Sequence, residues 1–172
     1  MSYGFIKKLD KLDKLDKEVM LGINPASLSI TEDFDGTGLN NHCAFTTATN
    51  IMKMMGFSEV TFDEIYRHIK SGPVLFMEPR LKKIIKNRKT SVKIKRKYFP
   101  KAMDMVKAID EGHITAMLLI ESIKSAHWVI VTGYAISMGE IYLKIFTNWY
   151  HEARYYKVNE GSKAMMSLEF FI

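Results

Sequence analysis

The chain has 172 residues, of which 47% are hydrophobic, 12% aromatic and 26% charged. That is the balance of one soluble globular domain, and it excludes a disordered tail, a collagen and a membrane bundle. The formal charge of +6 is local. Residues 80–101 hold 11 of the 25 Lys and Arg and no acidic residue, leaving 14 basic against 19 acidic residues, a net of −5, elsewhere.

In chain order, the repeat KLDKLDKLD (residues 8–16) spaces Phe5, Leu9, Leu12, Leu15 and Val19 by three and four. This predicts an amphipathic helix, so residues 1–21 read as a helical extension ahead of a domain over 22–172. The segment has no apolar run of signal-peptide length, and no stretch of about 18 apolar residues occurs anywhere, so no membrane span is expected. With an unpaired thiol, the expected compartment is the cytoplasm. Residues 22–41, rich in Gly, Asn, Asp and Ser, read as loop.

A buried helix is predicted over 43–55, with Ala44, Ala48, Ile51, Met52 and Met55 on its apolar face and Gly56 as its stop. A second follows at 61–69, where Thr61 and Glu64 form a capping box, and a third at 78–86. The period then changes to two over 91–99, where lysines alternate with Val92 and Ile94, as in a strand with one wet basic face. Pro100 opens a helix carrying Met103, Val106 and Ile109 and ending at Gly112. Strands are predicted at 114–120, 127–136 and 140–147, the last two a hairpin around Met138 and Gly139, with another at 154–158 and a short C-terminal segment. Helices followed by a mainly antiparallel sheet make an α+β fold.

Thiol catalysis needs a nucleophilic cysteine, a histidine to move its proton and a group to orient the imidazole. Cys43, the only cysteine, opens a helix, where the positive end of the helix dipole favours a thiolate. His127 starts a strand, and Asn148 ends the strand that would pair with it. Each has a plain structural alternative. A lone cysteine is commonly a small buried hydrophobe, a strand-edge histidine commonly structural, and an asparagine after a strand commonly a turn residue. The three together are harder to obtain by accident.

The segments HCAFTTATNIMKMMG, AIDEGHITAMLLI, SAHWVIVTGY and IYLKIFTNWY resemble the papain-like cysteine peptidases, most of all the compact bacterial branch of double-glycine leader (bacteriocin-processing) peptidases. The resemblance covers residues 40–150 and is most specific around His127. It implies a papain-like fold with Cys43 as nucleophile, His127 as general base and acid, Asn148 as the orienting residue and Trp149 shielding the Asn148–His127 hydrogen bond. The family places a Gln about six residues before its cysteine as an oxyanion donor; here Thr37 stands there, and Asn40 or Asn41 are the substitutes, Asn40 preferred. Ala44 replaces the glycine the family has after its cysteine.

The resemblance implies a peptide or acyl substrate hydrolysed through a Cys43 thioester. The helix-start HC pair also resembles the cysteine acyltransferases of aminoglycoside (butirosin-type) biosynthesis, which pass the acyl group to an amine. A catalytically weak binding module on the same fold is the third reading. A metal site from His42, Cys43, His127 and His151 lacks the short paired spacing of zinc motifs, and no phosphate- or dinucleotide-binding loop is present, so neither metal nor cofactor is expected. The basic patch at 80–101 reads as a solvated face or as a site for an anionic partner. Nucleic acid is disfavoured because only Tyr98 and Phe99 interleave aromatic rings with the charge.

Overall fold

The structure is a computed structural model that describes residues 3–5, 14–34, 42–69, 77–88, 90–122 and 125–172. Its strands are β1 (Leu15–Met20), β2 (Lys93–Tyr98), β3 (Ile114–Ser122), β4 (Ser125–Ser137), β5 (Glu140–Phe146), β6 (Ala153–Tyr156) and β7 (Lys163–Phe171). Its helices are α1 (Cys43–Met54), α2 (Phe62–Ile69), α3 (Met77–Asn87) and α4 (Ala102–Asp110). The strands form one antiparallel sheet in the order β2-β7-β3-β4-β5-β6, with β1 also paired to β4. The fold is α+β.

Because side chains alternate across a strand, the central strands divide their apolar residues between two cores. Ala116, Leu118, Trp128, Ile130, Met166, Leu168 and Phe170 face α1, α2 and α3. Met117, Leu119, Val129 and Val131 face α4 on the other side. A strand covered on both faces reads as a continuous apolar run, which is why β4 has nine consecutive buried residues from His127 to Ala135. The β4–β5 hairpin turns on Met138 and Gly139, both with positive φ (50° and 77°), as the twist of paired strands requires.

Three expectations are corrected. Residues 15–20 are not helical. They form β1, which pairs with the second half of β4 from Leu15 with Ser137 to Met20 with Gly133, on the edge that β3 leaves open after Val131. The approach is backbone to backbone, since a Cβ on Gly133 would overlap the Val19 carbonyl oxygen. Residues 15–20 therefore belong to the sheet, not to a helical extension; the first part of the KLD repeat lies outside the described residues. The C-terminal segment is a full strand, β7, set between β2 and β3. Finally, α4 buries Met105, Val106, Ala108 and Ile109, while Met103 is exposed.

The basic segment is anchored by a few carboxylates. Glu78, buried at the start of α3, takes Lys82 at 2.6 Å and Arg96 of β2 at 3.1 Å. Arg88 takes Glu64 at 2.7 Å, so Glu64 accepts from Arg88 while its own N–H donates to the Thr61 hydroxyl. Lys95 and Lys97 pair with Glu169 and Asp104. Among the described residues, Arg80, Lys83, Lys86 and Lys93 have no carboxylate partner. β2 is an edge strand, and its lysines guard that edge from further pairing. Among the described residues, no helix is long and apolar enough to cross a membrane.

Candidate active site

The site is built where β5 stops. β5 pairs with β4 only as far as Phe146 opposite Ile130, so the β4 edge before Ile130 has no strand beside it on that side. In an antiparallel strand one residue's N–H and C=O point to the same side. At Trp128 both point into this gap, and side chains from α1 and from the segment after β5 take the place of the missing strand.

Helix α1 supplies one set. Nine consecutive residues from Ala44 to Met52 are buried, polar ones included. Cys43, Thr47 and Asn50, four and three residues apart, share one face of the helix. The backbone N–H of Trp128 reaches the Cys43 sulfur. The Thr47 hydroxyl donates to the Trp128 carbonyl at 3.4 Å. The Asn50 amide donates to the Ser29 carbonyl at 2.8 Å and to Asn148 Oδ1 at 3.4 Å, and its oxygen accepts from Ser29 N–H. The Cys43, Thr47 and Asn50 spacing marks this polar stripe in the sequence, beside the Ala, Ile and Met face.

The segment after β5 supplies the other set. Asn148 is fully buried with φ of 63°, a left-handed conformation that Asn tolerates better than most residues. Its amide nitrogen donates to the Trp128 carbonyl at 2.8 Å and to the Thr47 hydroxyl at 2.7 Å. Its carbonyl accepts from Thr31 N–H at 2.7 Å. Asn148 thus ties β4, α1 and the 30–31 loop together, and its side chain does not orient the imidazole as the resemblance implied. A neighbouring backbone group does that: His127 Nε2 lies 2.6 Å from the Thr147 carbonyl oxygen. A carbonyl only accepts, so Nε2 carries the proton and Nδ1 is left with the lone pair.

Trp149 stacks on the His127 ring at 3.8 Å between centroids and 22° between planes. It covers the ring as expected, but the hydrogen bond beneath it runs from His127 to Thr147, not to Asn148. Burial holds His127 down to about 4, with the Thr147 bond opposing. Burial pushes the half-buried Cys43 thiol up, against the N–H groups of Trp128, Ala44 and Cys43 itself, which favour the thiolate. At rest Cys43 is therefore a thiol and His127 a neutral imidazole, and the expectation of a preformed thiolate is corrected: desolvation outweighs the helix N-terminus.

Thr37, Asn40 and Asn41, the oxyanion candidates, lie outside the described residues. Of the groups at the site, Thr47, Asn50 and Thr147 are not signalled by the sequence reading. Two features lie elsewhere. A cavity of about 650 Å³ is lined by Leu21, Ile23, Leu28, Lys53, Met54 and Ile114, at the end of α1 opposite Cys43. Glu111, His113 and Glu169 are the one group among the described residues that could hold a metal ion. His113 Nδ1 lies 2.7 Å from Glu169 and 3.5 Å from Glu111, while Lys95 and Lys107 pair with the same carboxylates, so the cluster is satisfied as an ion-pair network. No protein-family model matches the chain, and no curated protein matches it significantly.

Proposed function

We propose that this chain is a papain-like cysteine hydrolase that cleaves a peptide or amide bond through a thioester on Cys43. The observation that carries the reading is that β4 serves both groups at adjacent residues: Trp128 meets the Cys43 sulfur of α1, and His127 carries the imidazole. The Trp128 N–H faces the sulfur, and the preceding residue is a histidine whose proton is fixed on Nε2 by the Thr147 carbonyl.

In the reaction, Sγ attacks the carbonyl carbon as His127 Nδ1 takes the thiol proton. The oxyanion that forms is met by N–H groups of the first turn of α1, where Cys43 and Ala44 have no acceptor within the helix. The imidazolium returns its proton to the leaving amine as the C–N bond breaks, which leaves the thioester. Water then attacks the thioester, giving a proton to Nδ1, and the acid departs as the thiol regains that proton. Because both groups rest neutral, His127 acts as a general base during attack, not as half of a standing ion pair.

The test uses p-nitrophenyl acetate as the acyl donor. A burst of nitrophenolate with acetyl-Cys43 seen by mass spectrometry, lost in Cys43→Ala and His127→Gln, is the expected result. Equal slow turnover in all three proteins would refute the reading. Acceleration of deacylation by an added primary amine, beyond that by water, would move the assignment to an acyltransferase.

A further inference from the structure

Residues 3–5 pack on the α4 side of the sheet, against the ring that the proposed chemistry uses. The Tyr3 ring centroid is 5.5 Å from that of His127 and 5.7 Å from that of Trp149, so it abuts both members of the stacked pair. Phe5 stacks on Tyr3 at 5.6 Å and meets Trp149 at 6.2 Å and Tyr156 edge-on at 6.1 Å. Tyr3 is 2% exposed, and its hydroxyl shares a 2.7 Å hydrogen bond with Ser125 Oγ at the start of β4.

The segment is pinned by its backbone. The Ser162 hydroxyl donates to the Tyr3 carbonyl at 2.9 Å. Gly4 (φ 76°) and Gly161 (φ 80°) lie face to face, so that a Cβ on Gly161 would come 2.6 Å from Gly4 Cα, and one on Gly4 would overlap the Glu160 carbonyl oxygen. Tyr3 itself has φ of 45°, a left-handed backbone that a non-glycine residue keeps only where its surroundings hold it there. A strained, fully buried aromatic residue clamped at this corner calls for a reason beyond filling space.

We propose that Tyr3 is a positioning residue for His127: with Trp149 it walls the imidazole, excludes water from it and keeps Nε2 on the Thr147 carbonyl and Nδ1 free for the Cys43 thiol. The proposal rests on the reading of Cys43 and His127 as a catalytic pair for its chemical purpose, but not for its geometry. The other titratable groups facing this corner are the Cys43 thiol of α1 and the Glu121 carboxylate of β3, and both act on the Tyr3 phenol. Neither offers His127 a hydrogen bond among the described residues.

The test is ring ¹⁵N NMR of the full chain across pH, on the native protein and on Tyr3→Phe, Tyr3→Leu and Gly4→Ala, with thermal melting to confirm folding. In the native protein His127 holds the Nε2–H tautomer down to acid pH. Tyr3→Leu keeps apolar bulk without the ring, and Gly4→Ala expels the segment while leaving every aromatic residue in place. Both are expected to raise the His127 midpoint by about one unit or more and to mix the two tautomers, whereas Tyr3→Phe keeps the native profile. If Tyr3→Leu and Gly4→Ala both titrate as the native protein does, Tyr3 does not position the ring and the proposal falls. Failure of p-nitrophenyl acetate to acylate native Cys43 would sink the hydrolase reading and leave this NMR result standing.

Discussion

Replacing Asn148 with alanine separates a residue that orients the imidazole from one that holds the site's frame. The substitution removes the 2.8 Å and 2.7 Å hydrogen bonds to the Trp128 carbonyl and the Thr47 hydroxyl, at about 1 kcal/mol each. The Trp128 carbonyl is left with the 3.4 Å contact to Thr47, and its partial desolvation adds about 1 kcal/mol. Alanine at φ of 63° adds about 1 kcal/mol more, since its Cβ crowds a left-handed backbone without the local polar compensation of Asn. The expected loss is thus about 3–4 kcal/mol, read from the urea midpoint at unchanged m-value. Asn148→Gly relieves the backbone part and is expected to recover about 1 kcal/mol of it. Asn148→Asp, which sets a carboxylate against the Trp128 carbonyl, is expected to be worse than alanine. In the alanine variant His127 keeps its Nε2–H tautomer, because Thr147 holds the ring. A loss below about 1 kcal/mol would refute the frame-holding role of Asn148, and a tautomer change at unchanged stability would show that Asn148 acts on the imidazole and refute the assignment to Thr147.

Three further outcomes are expected. Folding binds the neutral form of His127, whose pKa is held to about 4 against 6.5 in a free side chain, so its contribution is complete above pH 6.5 and is lost as pH falls toward 4. That amounts to about 3 kcal/mol, and His127→Gln should lose that much less stability than the native protein between pH 7 and 4 in denaturant titrations. For Cys43, raised by burial, the iodoacetamide rate should climb only at pH above the ordinary thiol range; an inflection below pH 7 would contradict the neutral resting pair. Gly133→Val should force β1 off β4 and cost about 2 kcal/mol or more, with loss of amide exchange protection at residues 17–20; unchanged protection would mean that the β1–β4 pairing is not as described.

How much of this was legible depends on which interaction decides each element. Helices α1 to α4 and the β4–β5 hairpin follow from local signals: apolar spacing, the Thr61 hydroxyl, Pro100, and the Met138 and Gly139 turn. β1 did not, because its threefold KLD spacing satisfies a helix as well as a strand needs no pattern at all on an exposed face. What decides β1 is the open edge of β4 beyond Val131 and the missing side chain of Gly133, both more than 110 residues away. β7 has the period of two, with Met166, Leu168 and Phe170 on one face and Ser167 and Glu169 between them, but the doubled Met and doubled Phe blur it. The positions of Cys43 and His127 were legible from their settings, and that of Trp149 only from the resemblance. The orienting group was not, because a backbone carbonyl such as that of Thr147 leaves no mark on the residue alphabet, and the neighbouring Asn148 offered a more familiar side chain for the part.

The two electrostatic directions at the site have one cause and one chemical effect. Burial acts on whichever form carries charge, so it raises the acid Cys43 and lowers the base His127, and both shifts keep the proton on sulfur. A thiol held neutral by burial is a poor target for small alkylating and oxidising agents, which react with thiolate. In the reaction proposed above, moving the proton becomes favourable when a bound carbonyl offers its developing oxyanion to the first-turn N–H groups of α1, since the imidazolium formed at Nδ1 is then no longer a lone buried charge. In the proposed reaction, selectivity for a bound carbonyl over a free reagent follows from the same desolvation of Cys43 and His127. Any change that wets the His127 ring should therefore raise the background reactivity of Cys43 and lower its discrimination between substrate and reagent.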